Sequence, residues 1–173
     1  MRTRSTMLAL VGAALLAPAC ASDPSRGYSF TSAYREDIAT ISVPVFKNET
    51  YAHGVESDLT DAVIKEIHRS TPWRVTPAER ADTTLRGVIT GAELRSLRKN
   101  PDSGLVQEMA YQFTVSFEWQ DNRTGRALVS RRGFKGAETF VPAYGAEEKL
   151  ELGQAATADQ LARDIVASLR SSW

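Results

Sequence analysis

Residues 109–120 alternate strictly between large apolar side chains and small or polar ones. The apolar positions are Met109, Tyr111, Phe113, Val115, Phe117 and Trp119. Side chains of a β-strand point alternately to opposite faces, so this period of two predicts a strand with one buried face and one solvated face. A sheet of such strands needs a second layer over its apolar face, which is typical of antiparallel architectures.

The segments on either side of this strand predict a β-meander. Residues 121–125 read DNRTG and form a turn, after which residues 127–136 return as an antiparallel partner. Residues 81–91 predict a preceding strand, in which Gly87 and Gly91 indicate a bend or close packing. These three strands follow one another along the chain and form the predicted centre of the sheet.

Two further strands are predicted nearer the N-terminus. Residues 38–46 alternate β-branched apolar residues with polar ones. Pro44 cannot donate to a sheet ladder, so this strand lies at a sheet edge or ends at the proline. Residues 73–75 predict a short additional strand.

Two other segments, residues 54–70 and residues 147–170, carry apolar side chains at helical spacing. The stripe of the first consists of Val55, Leu59, Ala62, Val63 and Ile67. The stripe of the second consists of Ala158, Leu161, Ile165, Val166 and Leu169. Stripes at this spacing predict two amphipathic helices, each with one buried face.

Two amphipathic helices and a sheet with one apolar face cover each other as two layers. The predicted fold class is therefore α+β, a two-layer sandwich with both helices packed on one face of a roughly four-stranded mixed or antiparallel sheet. The uncovered face of that sheet is predicted to carry Gln112, Thr114, Ser116 and Glu118.

Residues 1–19 are predicted to be a signal peptide of the lipoprotein type. Two arginines precede an uncharged apolar stretch, and Ala17 and Ala19 lie just before Cys20. An A-x-A cut leaves a free thiol on Cys20, whereas a lipobox cut leaves an acylated cysteine as the new N-terminus. Ala17 stands where a lipobox usually has leucine. The chain has a single cysteine and cannot form an intramolecular disulfide, so its position at the cut favours lipidation.

Residues 20–27 are predicted to be a lipidated tether, and residues 28–173 a single domain. The apolar stretch of the signal is shorter than the roughly 20 residues that span a bilayer. The chain has 21 basic and 21 acidic residues, and loss of two arginines with the signal leaves a net charge near −2. No nucleic-acid partner is predicted, because such binding needs a basic surface.

No catalytic or metal-binding constellation is recognisable in the sequence. Two histidines and one cysteine are too few for a zinc or iron site, so neither a metal nor a cofactor is predicted. Neither a nucleophile elbow nor a phosphate-binding glycine motif occurs. Glu56, Asp58 and Asp61 could supply an acid–base pair, but their position at the start of a helix favours a role in stabilising its dipole. The sequence therefore predicts a protein that is not an enzyme.

Basic residues gather in two places on the predicted sheet. Arg95, Arg98 and Lys99 lie at one end of a strand, and Arg131, Arg132 and Lys135 lie on the last strand. If neighbouring strands bring the two groups together, they form a basic patch that can contact anionic phosphates. The alternative is that they are edge-strand charges, which prevent sheets from pairing with one another.

The motifs of the first half of the domain resemble those of a known family. The stretch IATISVPVFKNETYAHGVESDLTDAVIKEI, followed by TPWRV and ADTTLRGVI, is similar to the lipopolysaccharide-assembly lipoproteins of the LptE family, in the divergent branch outside the enteric bacteria. The most specific part is I-x-V-P-x-F-x-N-x-T, beginning at Ile41, followed by G-x-E-x-x-L-T, beginning at Gly54.

This resemblance implies a non-enzymatic outer-membrane lipoprotein that faces the periplasm and is held by a lipid on Cys20. Its implied partners are lipopolysaccharide and the β-barrel LptD, which such proteins plug and help to assemble. Because basic residues of the family are linked to lipopolysaccharide phosphates, the six basic residues above become candidate contacts. Ala21 and Ser22 follow the cysteine, and the absence of aspartate there fits outer-membrane sorting.

Two other functions remain open at this point. A stand-alone envelope lipoprotein that binds a small ligand or glycan requires a concave apolar pocket with converging polar groups. A carboxylate-dependent hydrolase requires Glu56 or Asp58 for its activity.

Overall fold

A computed structural model describes residues 34–35, 37–99, 101–102, 106–141 and 146–170. The predicted signal peptide, Cys20 and the tether lie outside the described residues, as do Gly27 to Phe30 and most of the predicted turn at residues 100–104.

Six strands and two long helices make up the described part of the chain. In chain order they are β1 (Thr40–Ser42), β2 (Lys47–Asn48), α1 (Val55–Ser70), β3 (Arg74–Val75), a 3₁₀ turn (Ala78–Arg80), β4 (Thr83–Lys99), β5 (Val106–Asp121), β6 (Ala127–Phe140) and α2 (Ala146–Ser168). All six strands form one mixed sheet in the order β3-β1-β4-β5-β6, and β2 also pairs with β4. The three short strands pair in parallel, while β4, β5 and β6 form the antiparallel meander.

The predicted α+β two-layer sandwich is confirmed, with six strands in place of about four. The segment predicted as one strand up to Phe46 is divided into β1 and β2, because the chain leaves the ladder before Pro44. In the strand order β1 lies between β3 and β4, so it is an inner strand that ends before the proline.

The core lies between the helices and the apolar face of the sheet. Every residue of the two predicted helical stripes is buried, as are the aromatic residues of β5 from Tyr111 to Trp119. The helices pack against each other, and α2 also packs on β5 and β6. The apolar residues spaced 3.6 apart in the helices and two apart in β5 therefore pack against each other in one interface.

A close approach inside this core explains one glycine of β4. A Cβ atom added to Gly87 would overlap the ring of Phe46, which is itself buried. The aromatic ring thus lies directly against the backbone of β4 at Gly87, as only a residue without a side chain allows. The close packing predicted for this strand is confirmed at Gly87, and Gly91 lies at an irregularity of the pairing with β5.

The central hairpin is longer than the helices that cover it. At about 3.3 Å per residue β4 measures roughly 56 Å, whereas the 23 residues of α2 measure roughly 35 Å. The predicted strand ended at residue 91, but β4 continues to Lys99. Leu94 and Leu97 in this extension are 44% and 53% exposed. Because neither face of the extension is buried, apolar and polar residues do not alternate there, and the sequence did not predict this part of the strand.

Asp82 joins the start of β4 to β1. Its Oδ2 accepts hydrogen bonds from the backbone N–H groups of Ala39 at 3.1 Å and Thr40 at 2.9 Å, and from Thr40 Oγ1 at 2.8 Å. The Thr40 hydroxyl and then the Ala39 amide hold the pKa of Asp82 below its ordinary value of 3.8. These bonds favour the charged carboxylate in the folded state.

We expect Asp82→Asn to destabilise the domain at neutral pH and to matter less in acid. A carboxylate with a lowered pKa stabilises the folded state above its unfolded pKa, and this contribution is lost as the pH falls through the folded value. Urea midpoints measured from neutral pH to about pH 2 should therefore converge for wild type and variant. A stability difference that stays constant over this range would contradict the expected linkage, and Asp61→Asn on the exposed side of α1 is the matched control.

Candidate functional site

The polar side chains of the family-like motif, residues 41–60, form hydrogen bonds with one another and with the nearby backbone. Asn48 Oδ1 accepts hydrogen bonds from the backbone N–H and the hydroxyl of Thr50, and Asn48 Nδ2 donates to Ala52 O and to Glu56 Oε2. The buried Thr60 accepts a hydrogen bond from the Phe46 N–H at 3.0 Å and donates to Glu56 O at 2.6 Å. The motif therefore fastens the segment around β2 to the first turns of α1.

Two of the three carboxylates considered for acid–base chemistry, Glu56 and Asp58, have structural partners. The backbone N–H of Glu56 itself and then the amide of Asn48 hold the pKa of Glu56 below its ordinary value. A general acid at neutral pH needs a raised pKa, so this environment opposes that role. Asp58 accepts a hydrogen bond from Gln154 Nε2 at 3.0 Å and links α1 to α2. Among the described residues, no group of three or more histidine, cysteine or acidic side chains could hold a metal ion.

The face of the sheet opposite the helices is polar, as predicted. Gln112, Thr114 and Ser116 are partly exposed there, and Glu118 is exposed. An open depression of about 320 Å³ lies on this face. Three consecutive residues of each meander strand line it: Arg86, Gly87, Val88, Ser116, Phe117, Glu118, Ser130, Arg131 and Arg132.

Strand register and a bulge together position these residues. Arg86 pairs with Glu118, and Glu118 pairs with Ser130, so the three form one cross-strand row on the open face. Between Val115 and Phe117 the pairing with β6 shifts by one residue, which is the signature of a β-bulge.

The two consecutive arginines beside the depression belong to different rows of the sheet. In a regular strand Arg131 and Arg132 would point to opposite faces. Gly133, next to them, has a left-handed backbone with φ of 62°, and its N–H donates to Ser116 Oγ at 3.3 Å. Arg132 and Gly133 thus lie opposite Ser116 on the open face, whereas Arg131 pairs with Phe117 in the row that faces the helices.

The depression has an excess of positive charge. Arg86 donates to Gln120 Oε1 at 3.1 Å, and Arg131 donates to the carbonyl oxygen of Ser130 at 3.2 Å. Within the described part of the chain, none of its three guanidinium groups forms a salt bridge, and Glu118 is the one acidic residue of the lining. On the open face Arg86 and Arg132 outnumber Glu118, so the local formal charge there is close to +1.

The structure separates the two groups of basic residues that the sequence singled out. Arg131 lies at the level of Gly87 on β4, and Arg95 lies eight positions further along that strand, about 26 Å away. Lys135 lies between these levels, because its partner Thr114 pairs with Gly91. The two groups do not form one continuous patch.

Carboxylates accompany part of the group on the hairpin extension. Arg95 forms a 2.8 Å ion pair with Glu93, and Arg98 lies opposite Glu108 in the sheet register. Lys99 lies opposite Val106. The arginines of the depression thus differ from Arg95 in having no salt-bridge partner among the described residues.

Sequence reasoning missed Arg86. A signal for it existed, because Arg86 lies between the inward-facing Leu85 and Gly87 in the predicted strand, and the period of two therefore places it on the open face. Its alignment with Arg131 and Arg132 depends on the pairing of β4, β5 and β6, which one strand pattern does not reveal.

Comparisons with known proteins are consistent with this fold. The family model described as LptE, lipopolysaccharide-assembly, matches residues 38–169. No curated protein sequence is significantly similar to the chain. No helix in the described part of the chain combines the length and the apolar character needed to cross a membrane.

Three solved structures illustrate the structural similarity. Rare lipoprotein B from Shewanella oneidensis is 18% identical, with a TM-score of 0.51 over 75% of this chain and 92% of its own. A minor lipoprotein from Acinetobacter baumannii is 14% identical, with a TM-score of 0.51 over 76% and 91%. A hypothetical protein from Chlamydia trachomatis is 8% identical, with a TM-score of 0.53 over 75% and 94%. At these identities the similarity shows a shared fold.

Proposed function

This chain belongs to the LptE family of lipopolysaccharide-assembly proteins, and from that membership we propose that it is a non-enzymatic outer-membrane lipoprotein. In this role it assists the assembly of an LptD-type β-barrel, plugs the barrel and helps to deliver lipopolysaccharide to the cell surface. The observation that carries the proposal is the family match, which covers the sandwich from Ile38 in the segment before β1 to Leu169 just after α2.

The architecture supports a role inside a larger partner. Both helices cover one face of the sheet, and the other face of the meander is polar and open. A polar sheet face is suited to the lumen of a wide barrel, because the interior of such barrels is polar as well.

A lipid anchor on Cys20 is part of the proposal. We assign residues 1–19 to a cleaved signal, residues 20–27 to the tether and residues 28–173 to the single domain. Acylation of Cys20 would hold the domain on the periplasmic side of the outer membrane. One acyl chain gives only marginal membrane binding, so a lipoprotein anchor with several chains is needed for stable attachment.

The basic residues of the meander are the proposed contacts for lipopolysaccharide phosphates. They are Arg95, Arg98 and Lys99 on β4 and Arg131, Arg132 and Lys135 on β6. The arginines of this set suit the role because one guanidinium group can bind two phosphate oxygens at once. The depression on the open face is polar and open, unlike the apolar pocket expected of a stand-alone carrier of small ligands, so the assembly role is preferred.

We expect the native protein to co-purify with an outer-membrane β-barrel of much higher mass after extraction in mild detergent. The measurement is affinity purification of a C-terminally tagged chain followed by mass spectrometry of the bound proteins. Recovery of the chain alone, from membranes in which the barrel is abundant, would defeat the proposed function.

The variant Cys20→Ser separates anchoring from folding in the same experiment. The wild-type chain should incorporate labelled palmitate and fractionate with membranes, and the variant should lose both properties. An unlabelled, soluble wild-type chain would instead support the A-x-A cut and a free thiol at Cys20.

A further inference from the structure

We propose that the last part of β6, Phe134 to Phe140, is a docking edge at which an acidic, extended segment of the barrel partner adds as a further strand of the sheet. We call this part the upper run of β6. The inference rests on the proposed function and deepens it, because it names one place where the barrel chain binds. The occupant is a protein segment, held mainly by hydrogen bonds between the two backbones.

The upper run is regular and has a free outer side. β6 is the last strand in the sheet order, and within the described part of the chain no strand pairs with its outer side. On its inner side Phe134 to Phe140 pair one-for-one with Val115 to Met109, without a register shift. A regular strand presents alternate N–H and C=O groups to its free side. The seven consecutive pairs exceed the roughly five or six residues of an average strand, so a whole strand can dock.

The other free edges of the described sheet are interrupted. Bulges and very short strands are two of the devices by which proteins disable a free edge. β3 has two residues, and the outer side of β4 is free beyond Ile89, where the pairing of β4 with β5 shifts at three places. The lower part of β6, Ala127 to Gly133, contains two more shifts and the left-handed Gly133. Among the described edges, the upper run alone has none of these interruptions.

Side chains of the upper run leave apolar surface for a neighbouring strand. Phe134 and Phe140 pack against the core on the helix-facing side but are only partly buried. The ring of Phe134 meets that of Phe117 edge-on, with 5.6 Å between the centroids. Cross-strand contacts between apolar side chains stabilise a sheet, so apolar residues of an added strand can cover the rest of these two rings.

The charge of β6 selects the kind of strand that docks. The strand carries Arg131, Arg132 and Lys135 but one acidic residue, Glu138, so its formal charge is +2. Pairing of this edge with the same edge of a second copy would bring two positively charged strands close together, which costs free energy. A strand with acidic residues gains free energy instead. The charge therefore favours an acidic segment of another protein over self-association.

Amide hydrogen exchange of the free chain and of the chain in its barrel complex, measured by mass spectrometry, tests the docking edge. We expect exchange in the upper run to slow at least about tenfold in the complex, because its outward N–H groups gain hydrogen bonds. Ala92 to Lys99 on the irregular edge of β4 is the control segment, and its exchange should change less than about twofold. Unchanged exchange in the upper run of a complex that retains the barrel would overturn the inference.

Two proline variants distinguish an added strand from simple coverage of the surface. Neighbouring residues of a strand direct their N–H groups to opposite sides, so one of Ala137→Pro and Glu138→Pro removes a bond to β5 and the other removes an outward donor. A urea midpoint close to that of the wild type identifies the outward variant, because an edge strand tolerates proline there. This variant should lose the slowed exchange of the upper run in the barrel complex. Retention of the slowed exchange would contradict strand addition.

Photocrosslinking in native membranes identifies the occupant. A benzophenone amino acid placed at the exposed Ala137 or Thr139 should reach one acidic segment of the barrel chain, at positions two residues apart, because one face of a strand repeats every second residue. Lys135→Glu should lower the crosslinking yield several-fold. Lys65→Glu on the exposed side of α1 makes the same charge change and should alter the yield less than about twofold. Crosslinks to scattered segments, or to a second copy of this chain, would overturn the inference.

Failure of this inference differs from failure of the proposed function. A barrel that co-purifies with the chain, while the upper run shows neither slowed exchange nor crosslinks in register, defeats the docking edge alone. A chain without a barrel partner, whose upper run still crosslinks in register to an acidic segment of another protein, defeats the proposed function alone.

Discussion

Replacement of Gly87 by alanine is expected to destabilise the domain by about 1–3 kcal/mol, the usual cost of one extra methyl group in a filled core. The new Cβ atom would overlap the ring of Phe46, and that ring is held in the core by its own burial. Lower entropy of the unfolded chain offsets only about 0.5 kcal/mol of this cost. The urea midpoint should fall while the slope of the unfolding transition stays constant.

Gly91→Ala is the matched control on the same strand. Its Cβ atom would approach Thr114 at 3.3 Å, and Thr114 is partly exposed on the open face, where it can move. We expect its effect to stay within about 0.5 kcal/mol, as for most surface substitutions.

A double variant tests the mechanism at Gly87. Phe46→Leu removes the ring that the new methyl group would overlap, so Gly87→Ala should cost less in that background. The coupling between neighbouring residues of this kind is typically about 0.5–3 kcal/mol. Strictly additive effects of the two substitutions would show that contact with Phe46 is not the cause.

Replacement of Thr60 by valine is expected to cost about 1–3 kcal/mol, although the two side chains have nearly the same shape. Thr60 Oγ1 accepts the hydrogen bond of the Phe46 N–H at 3.0 Å, and Thr60 is only 4% exposed. Valine would leave that backbone donor buried without a partner, and the loss of such a bond costs the full desolvation of the donor. Thermal and urea unfolding of the wild type and of Thr60→Val measure this difference in unfolding free energy.

Thr157→Val is the control for hydroxyl loss as such. Thr157 is fully buried in α2, but its hydroxyl acts only as a donor, and its single proton is shared between Gly153 O at 2.7 Å and Tyr111 O at 3.2 Å. No backbone donor of the described chain depends on it, so its replacement should cost less than that of Thr60. An equal loss in both variants would contradict the proposed importance of the Phe46 N–H.

Both expectations concern Phe46, which belongs to the motif that identifies the family. Its ring lies on the backbone of β4, and its N–H is bound by α1. Asn48 and Thr50 of the same motif bond to the chain around them. The motif is therefore explained by packing and hydrogen bonding within the fold, and it contributes no side chain to the depression on the open face.

The prediction of elements succeeded where a single face is buried. The stripes of α1 and α2 and the alternation of β5 each reflect one apolar surface, so the spacing of apolar residues along the chain reveals the element and its inner face. The predicted end of a strand was wrong where that apolar surface ends. From Glu93 to Lys99 every residue of β4 is exposed, and the last part of the strand has no alternation to reveal it.

The candidate site was predictable only in part. Arg131 and Arg132 were named from their sequence neighbourhood, but two consecutive residues of one regular strand cannot share a face. The register accordingly places Arg131 opposite the inward-facing Phe117, and the pairing of three strands brings Arg86 beside the same depression as Arg132. The same pairing separates Arg95 from Arg131 by most of the length of the sheet.

The sequence by itself determined the two-layer sandwich, the faces of its long elements and the polar character of the open side. Each of these follows from burial of a local periodic pattern. The tertiary structure alone decided that the motif residues bind one another, that β4 extends to Lys99 and that Arg86 and Arg132 lie beside one depression. These features depend on pairing register and on contacts between residues far apart in the chain, which leave no local period in the sequence.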